Sequence, residues 1–245
     1  MGAVRAGHFG ELRKAVRTGH FGELRKAVRT GHFGELRKAV RTGHFDEKPR
    51  IFAVTMEQSE RESLRKKVLD FLTENGIEYE LYTHPELSSI DECLEYWKDI
   101  HDATHCKNLF FRNHKGNRHY LVSMECHKDL DIHGLEHMVR QGKLSFASEE
   151  RMMRCLGLHP GSVSAFGLIN DIHPDNPNQK ELFDDGHRVK YFIDSDLQKV
   201  GKISFHPCEN TASVVVSHAG FMKFLEIWGG QVEWLDMSPG QHDAE

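Results

Sequence analysis

Two β-prone runs, Lys107–Asn113 and Arg118–Met124, flank the polar, glycine-containing tetrapeptide His114-Lys115-Gly116-Asn117. This pair constrains the fold more than any other feature, because it reads as an antiparallel hairpin. The apolar positions Leu64, Val68, Phe71 and Leu72 recur at helical spacing, which predicts a helix over 57–75 that ends at Gly76. Ile77 to Tyr82 alternates as a short strand, and Ser89-Ile90-Asp91-Glu92 forms a capping box for a helix reaching about Ile100. Two more helices are expected near 132–141 and 148–156, the second closed by Gly157. Strands are expected at Phe166–Ile169, Val189–Ile193, Lys202–Phe205 and Ala212–Val216, with a polar loop at 174–186. A helix over His218–Trp228, ended by Gly229-Gly230, precedes a last strand at Val232–Trp234. Strands interrupted by helices without regular βαβ alternation indicate an α+β fold, with a mixed, mostly antiparallel β-sheet flanked by helices.

The front of the chain is different. From Ala3 a 12-residue unit, A-V-R-[AT]-G-H-F-G-E-L-R-K, recurs in three near-identical copies and a partial fourth. Twelve residues advance a helix by roughly 1200°, so each copy is rotated by about 120° and no continuous apolar stripe forms. Each full unit also carries two glycines, each costing about 1 kcal/mol against alanine within a helix. The expectation is a flexible basic arm over residues 1–50 and one folded domain over 51–245. Residues 1–45 carry a net charge of +7 and residues 46–245 a net of −12. The arm can attract nucleic acid, whereas the acidic body can hold RNA only through a local patch. A tandem duplication of little consequence accounts for the arm equally well.

Five scattered cysteines without a C-x-x-C pair read as reduced cytosolic thiols rather than structural zinc ligands. No apolar run approaches the roughly 20 residues a membrane span requires. The start lacks a secretory core and a myristoylation signal, so the expected location is cytoplasmic. His101/His105 and His133/His137 have the i,i+4 spacing that suits zinc on a helix, but no third ligand accompanies either pair, and no metal or other cofactor is expected. Cys106, beside Lys107, reads as a packing thiol, since adjacent strand residues face opposite ways. A complete nucleophile–base triad, a Walker loop and G-x-G-x-x-G are all absent from the sequence.

Three segments remain. Lys107 opens a strand, where it is either a phosphate anchor or a solvated strand-end charge. Gly157–Val163 contains Pro160-Gly161-Ser162, a turn able to aim backbone amides at an oxyanion, or simply a helix-to-strand connection. His206-Pro207 precedes Asn210, an arrangement that either orients a substrate or closes a strand.

Together these segments resemble the YbaK/prolyl-tRNA-synthetase-associated domain family over about residues 60–236. Tyr79–Pro85 resembles the early strand and His-Pro turn of its ProX-type branch. Lys107–Arg112 matches K-N-L-F-L-R, and Leu144–Ser148 matches L-S-F-A-S. Leu156–Leu168 resembles L-G-x-x-P-G-S-V-x-P-F-G-L, and Phe205–Thr211 resembles F-H-P-x-x-N-T. Ala165 stands where the family has proline, Ala103 where it has glycine, and Asp131-Ile132-His133 where it has D-L-K.

The resemblance implies a trans-editing deacylase that hydrolyses mischarged aminoacyl-tRNA, with Ala-tRNA(Pro) as the expected substrate and prolyl-tRNA synthetase as a partner. Cys or Ser esters, or a non-catalytic tRNA- or synthetase-binding module, are the alternatives. It implies catalytic roles for Lys107, His206, Gly161 and Ser162. Substrate contacts are implied for Gly157, Pro160, Val163, Phe166, Asn210, Arg112 and His84. Lys107 would anchor the terminal phosphate or ribose, and the Gly157–Val163 amides would hold the ester carbonyl.

Overall fold

The computed structural model describes residues 58–87, 90–172 and 179–238. The repeat arm, its boundary with the body at 50/51, the Ser89 cap and residues 174–178 of the polar loop lie outside them.

Helix α1 (Gln58–Glu74) turns at Gly76, whose φ of +60° is open to glycine, and Ile77 then closes back on the Leu72 carbonyl. The chain continues through β1 (Tyr79–Thr83), α2 (Ile90–Trp97), β2 (Ala103–Asn113) and β3 (His119–Glu125). Next come α3 (Ile132–Val139), β4 (Leu144–Phe146) and α4 (Glu149–Leu156). After a 3₁₀ segment (Ala165–Asp171) follow β5 (Val189–Asp194), β6 (Lys202–Phe205), β7 (Ala212–Ser217), α5 (His218–Trp228) and β8 (Val232–Leu235). Ser217 caps α5 by accepting from the Gly220 amide, and Gly229 ends it in the left-handed region.

The eight strands form one mixed sheet in the order β1-β7-β6-β2-β3-β5-β8, with β4 also paired to β2. The hairpin forms as expected, pairing Cys106–Arg112 with His119–Glu125. Two expectations fail. Phe166–Ile169 is not a strand, because the Ser164 hydroxyl accepts from the Phe166 amide and starts a 3₁₀ turn. Residues 165–168 are buried all round, so no alternation distinguishes the two geometries. Lys107 does not open its strand: β2 begins four residues earlier, where Ala103–His105 pair in parallel with Lys202–Ser204 of β6. That partner lies about a hundred residues away in sequence, beyond local reading.

One sheet face is covered by α1, α5 and the 3₁₀ segment, with Leu72, Phe166, Phe205, Phe221 and Phe224 at its centre. The other face carries two smaller clusters. Trp97 and Cys93 of α2 pack over Val215, while Leu135 of α3 packs with Tyr120, Val122 and Met124.

Candidate functional site

Between those smaller clusters β2 carries the candidate residues. Ala103 belongs to the α2 cluster and Leu109 to the α3 cluster. By the strand's alternation, His105 and Lys107 lie between them on the same face. The rung His105↔Ser204 is the last between β2 and β6. Lys107 on β2 and His206, just past the end of β6, each stand two residues beyond it on chain segments running the same way, so they flank the split where pairing stops. Lys107 Nζ donates to the Lys128 carbonyl. Lys128 is itself held by Asp194 at 2.5 Å and Asp196 at 2.8 Å.

Three imidazoles converge at the split. His206 Nδ1 lies 2.8 Å from the Ala212 carbonyl and so carries the proton, leaving Nε2 as an acceptor. Burial and the neighbouring His84 imidazole hold His206 below its ordinary value. The rings of His84 and His206 meet edge-on at 5.9 Å. His84 bonds the Pro85 carbonyl through Nδ1 and the Ser213 hydroxyl through Nε2. His105 stacks on Trp97 at 4.1 Å, and burial followed by repulsion from His206 pushes it down to about 4. His105 is therefore a neutral ring at neutral pH. The i,i+4 spacing of His101 and His105, weighed in the sequence as one that suits zinc on a helix and set aside for want of a third ligand, is not helical here, since His105 is a strand residue. Its position two before Lys107 was the signal that it shares that residue's face.

The glycine–proline loop adjoins this split. Gly157 caps α4 at φ +66°, and Gly161 is exposed at φ +88°. Ser162 is buried, but its amide closes the turn on the His159 carbonyl and is not free for an oxyanion. The Gly161 and Val163 amides make no hydrogen bond among the described residues. Ser164, a residue the sequence reading passed over, donates its hydroxyl to the His206 carbonyl at 2.5 Å and fastens the loop to the strand end. His159 fastens it from the other side, contacting Glu149 at 3.1 Å through Nδ1 and Glu60 at 3.2 Å through Nε2. Both contacts at once require an imidazolium. Burial alone would lower its pKa, but the hydrogen bonds to the two carboxylates raise it.

Asn210 is 5% exposed, donates to Glu86 at 3.3 Å and leaves its buried Oδ1 without a partner. Its turn contains Cys208 at φ +65° and is held by fully buried Glu209, which binds Arg65 and both the amide and hydroxyl of Thr211. Pro160 and Val163 are half-buried beside the loop's exposed glycine. Two predicted residues stand apart. Phe166 is fully buried, edge-on to Phe205 and Phe224, and supports the loop from within the core. Arg112 lies five residues along β2 from Lys107, about 17 Å away and on the opposite face.

Glu125, Cys126 and His127 place three potential metal ligands within 4.8 Å of one another. The Glu125 carboxylate already accepts from the His127 and Lys128 amides, capping a turn. Burial and the adjacent carboxylate push the Cys126 thiol up to about 12. Cys106 is likewise a buried thiol raised by burial, on the face opposite Lys107.

Residues 84–224 match the family model of the aminoacyl-tRNA editing domain. The chain is 30% identical over 174 residues to the prolyl-tRNA editing protein ProX of Acetoanaerobium sticklandii, covering 71% of this chain and 97% of that protein. It is 28% identical to the mouse prolyl-tRNA synthetase associated domain-containing protein 1, covering 68% of this chain and 92% of the relative. Among solved structures, one assigned as a trans-editing enzyme for prolyl tRNA synthetase superimposes with a TM-score of 0.50 at 17% identity, covering 76% of this chain and all of that one. That likeness is one of fold. With the family match spanning the strand split, the loop and the His-Pro turn, the chain belongs to the aminoacyl-tRNA editing domain family.

Proposed function

We propose that this protein hydrolyses the ester joining a small amino acid to tRNA, with Ala-tRNA(Pro) as the substrate. The observation that carries the reading is the parting of β2 and β6 after His105↔Ser204, which sets Lys107 and His206 across one opening, with the Gly161 loop tied to it through Ser164. An aminoacyl ester is already activated, so hydrolysis needs a held carbonyl, an oriented water and stabilisation of the developing oxyanion more than a covalent nucleophile. The Gly161 and Val163 amides serve the carbonyl oxygen. His206 Nε2 accepts a hydrogen bond from the attacking water or the ribose hydroxyl. Lys107 holds the phosphate or ribose of the terminal nucleotide. Water adds to the carbonyl carbon, the tetrahedral intermediate collapses, and the ribose oxygen leaves with a proton. Discrimination against proline is one of size, since a missing methylene changes binding by only about 1–3 kcal/mol and a second, smaller site is needed to sort the products.

The test is release of alanine from Ala-tRNA(Pro), with Pro-tRNA(Pro) alongside. The wild-type chain is expected to clear alanine and spare proline, and Lys107→Ala to lose about a hundredfold or more in rate. Cleavage of Cys- or Ser-tRNA with Ala-tRNA spared would reassign the amino acid. Binding of tRNA with no ester cleaved beyond the buffer rate would leave a binding module.

A further inference from the structure

A second cleft, of 290 Å³, opens at the far end of β3. Tyr120 and Phe192 belong to its lining, as do Phe183, Arg118 and Lys190. The Arg118 guanidinium lies 5.2 Å from the Phe183 ring centroid, and Lys190 Nζ lies 5.1 Å from that of Phe192. Arg118 is held over its ring by Nη1, which donates to the Asn117 and Lys180 carbonyls, and Lys190 is paired with Glu233 at 2.7 Å. Tyr120 is 1% exposed, and its buried hydroxyl has no hydrogen-bond partner among the described residues. A buried unpaired hydroxyl is costly to maintain, and this one is a donor waiting for an acceptor. Burial pushes it up to about 12, so it keeps its proton at neutral pH.

The cleft's lining carries two cations, Arg118 and Lys190, against one carboxylate, Asp184. On the opposite face of the sheet, Arg112, Arg118, Arg151 and Arg154 surround buried His119 closely enough that, after burial itself, their charges are what depress it to about 3. Tyr120 pairs with Phe111 across the hairpin, and Phe111 pairs with Phe146, so the three aromatic residues share one face in a row. Phe146 is 60% exposed and stacks on Phe111 at 4.7 Å, presenting an open ring at the end of that row. Cations, aromatic faces and unused hydrogen-bonding groups in a small cleft are the chemistry that receives an unstacked nucleotide.

We propose that this cleft is a nucleotide-binding subsite that takes an unpaired nucleotide of the RNA, its base against Phe183 and Tyr120 and its phosphate on Arg118 and Lys190. The inference rests on the reading of the chain as acting on an RNA ester, and it adds a contact remote from that ester. Tyr120 lies four residues from Met124, the strand partner of Lys107, and so about 13 Å along β3 from the proposed chemistry.

The test compares wild type, Tyr120→Phe and Lys190→Gln for binding of uncharged tRNA(Pro) by fluorescence anisotropy and of the four nucleoside monophosphates by calorimetry. Hydrolysis of 3′-O-alanyl-adenosine, too short to reach the cleft, is measured in parallel. Tyr120→Phe is expected to keep its unfolding temperature and to weaken tRNA binding about three- to tenfold. Lys190→Gln is expected to reduce the slope of log K against log salt by about one. Both variants should hydrolyse alanyl-adenosine at the wild-type rate. If the variants lose monophosphate binding while tRNA binding is unchanged, the site takes free nucleotides and the RNA assignment is overturned. If neither ligand is affected, the subsite itself is refuted. Failure of the wild type on alanyl-adenosine and Ala-tRNA(Pro) would sink the deacylase reading alone, because the binding arms do not depend on turnover.

Discussion

His119 shows how far a side chain's chemistry depends on its surroundings. It is fully buried and accepts from Arg151 at 2.9 Å, which only a ring nitrogen without a proton can do. Burial and four guanidiniums lower it from 6.5 to about 3, and His105 falls to about 4 chiefly through burial. In both cases the unfolded chain binds the proton first. Their contribution to stability is therefore complete above about pH 6.5 and is lost as pH falls through that value toward the folded pKa values. Asp171, raised from 3.8 to about 6 by burial, works in the opposite sense over its own interval. Urea unfolding followed from pH 7.5 to 4 is expected to show a net loss on the order of a few kcal/mol. His119→Gln should flatten that acid limb, and an unchanged limb would remove His119 from the account. Lys107 and His206 were each legible in the sequence as chemically meaningful residues, whereas their placement across one split was not. The link between Lys107 and His206 exists only through a strand pairing made across the whole domain.

Among the elements, β2 carries the most information because it pairs with three others: β6 at its start, β3 along its length and β4 at its end. The β2–β3 hairpin was readable because its contacts are local and its turn is polar and contains glycine. The parallel pairing with β6 was not, and neither was the three-residue strand β4, which is too short to show a pattern. The 3₁₀ segment at Ala165–Asp171 misled the reading because its first four residues are buried on every side and have no period to reveal. Its capping residue, Ser164, joins two elements at once through Phe166 and His206. Ser164→Ala is expected to cost about 1–2 kcal/mol in stability. It should also lower deacylation about tenfold at temperatures where the protein stays folded, since a loop freed from the strand end no longer aims its amides. A rate that falls only in step with the unfolded fraction would reduce Ser164 to a packing role.

For the molecule as a whole, charge separates the repeat arm from the body: +7 over residues 1–45 and −12 over 46–245. Deleting residues 1–50 is expected to leave the unfolding temperature of the body unchanged and to make tRNA binding less salt-dependent, since each lost phosphate contact removes about 0.9 from the slope. An unchanged slope would favour a tandem duplication without a role in binding. None of the helices among the described residues is long and apolar enough to cross a membrane. The sequence by itself determined the α+β class, the positions of most helices and strands, and the three segments that make up the candidate site. These follow from period, turn residues and local spacing, which are written into neighbouring residues. Only the tertiary structure decided that β2 and β6 part between Lys107 and His206, that Ser164 anchors the loop there, that Arg112 lies elsewhere, and that four arginines share one end of an acidic body. Each of these depends on contacts between residues far apart in the chain, and such contacts leave no local trace because they are selected by packing and strand pairing over the whole domain.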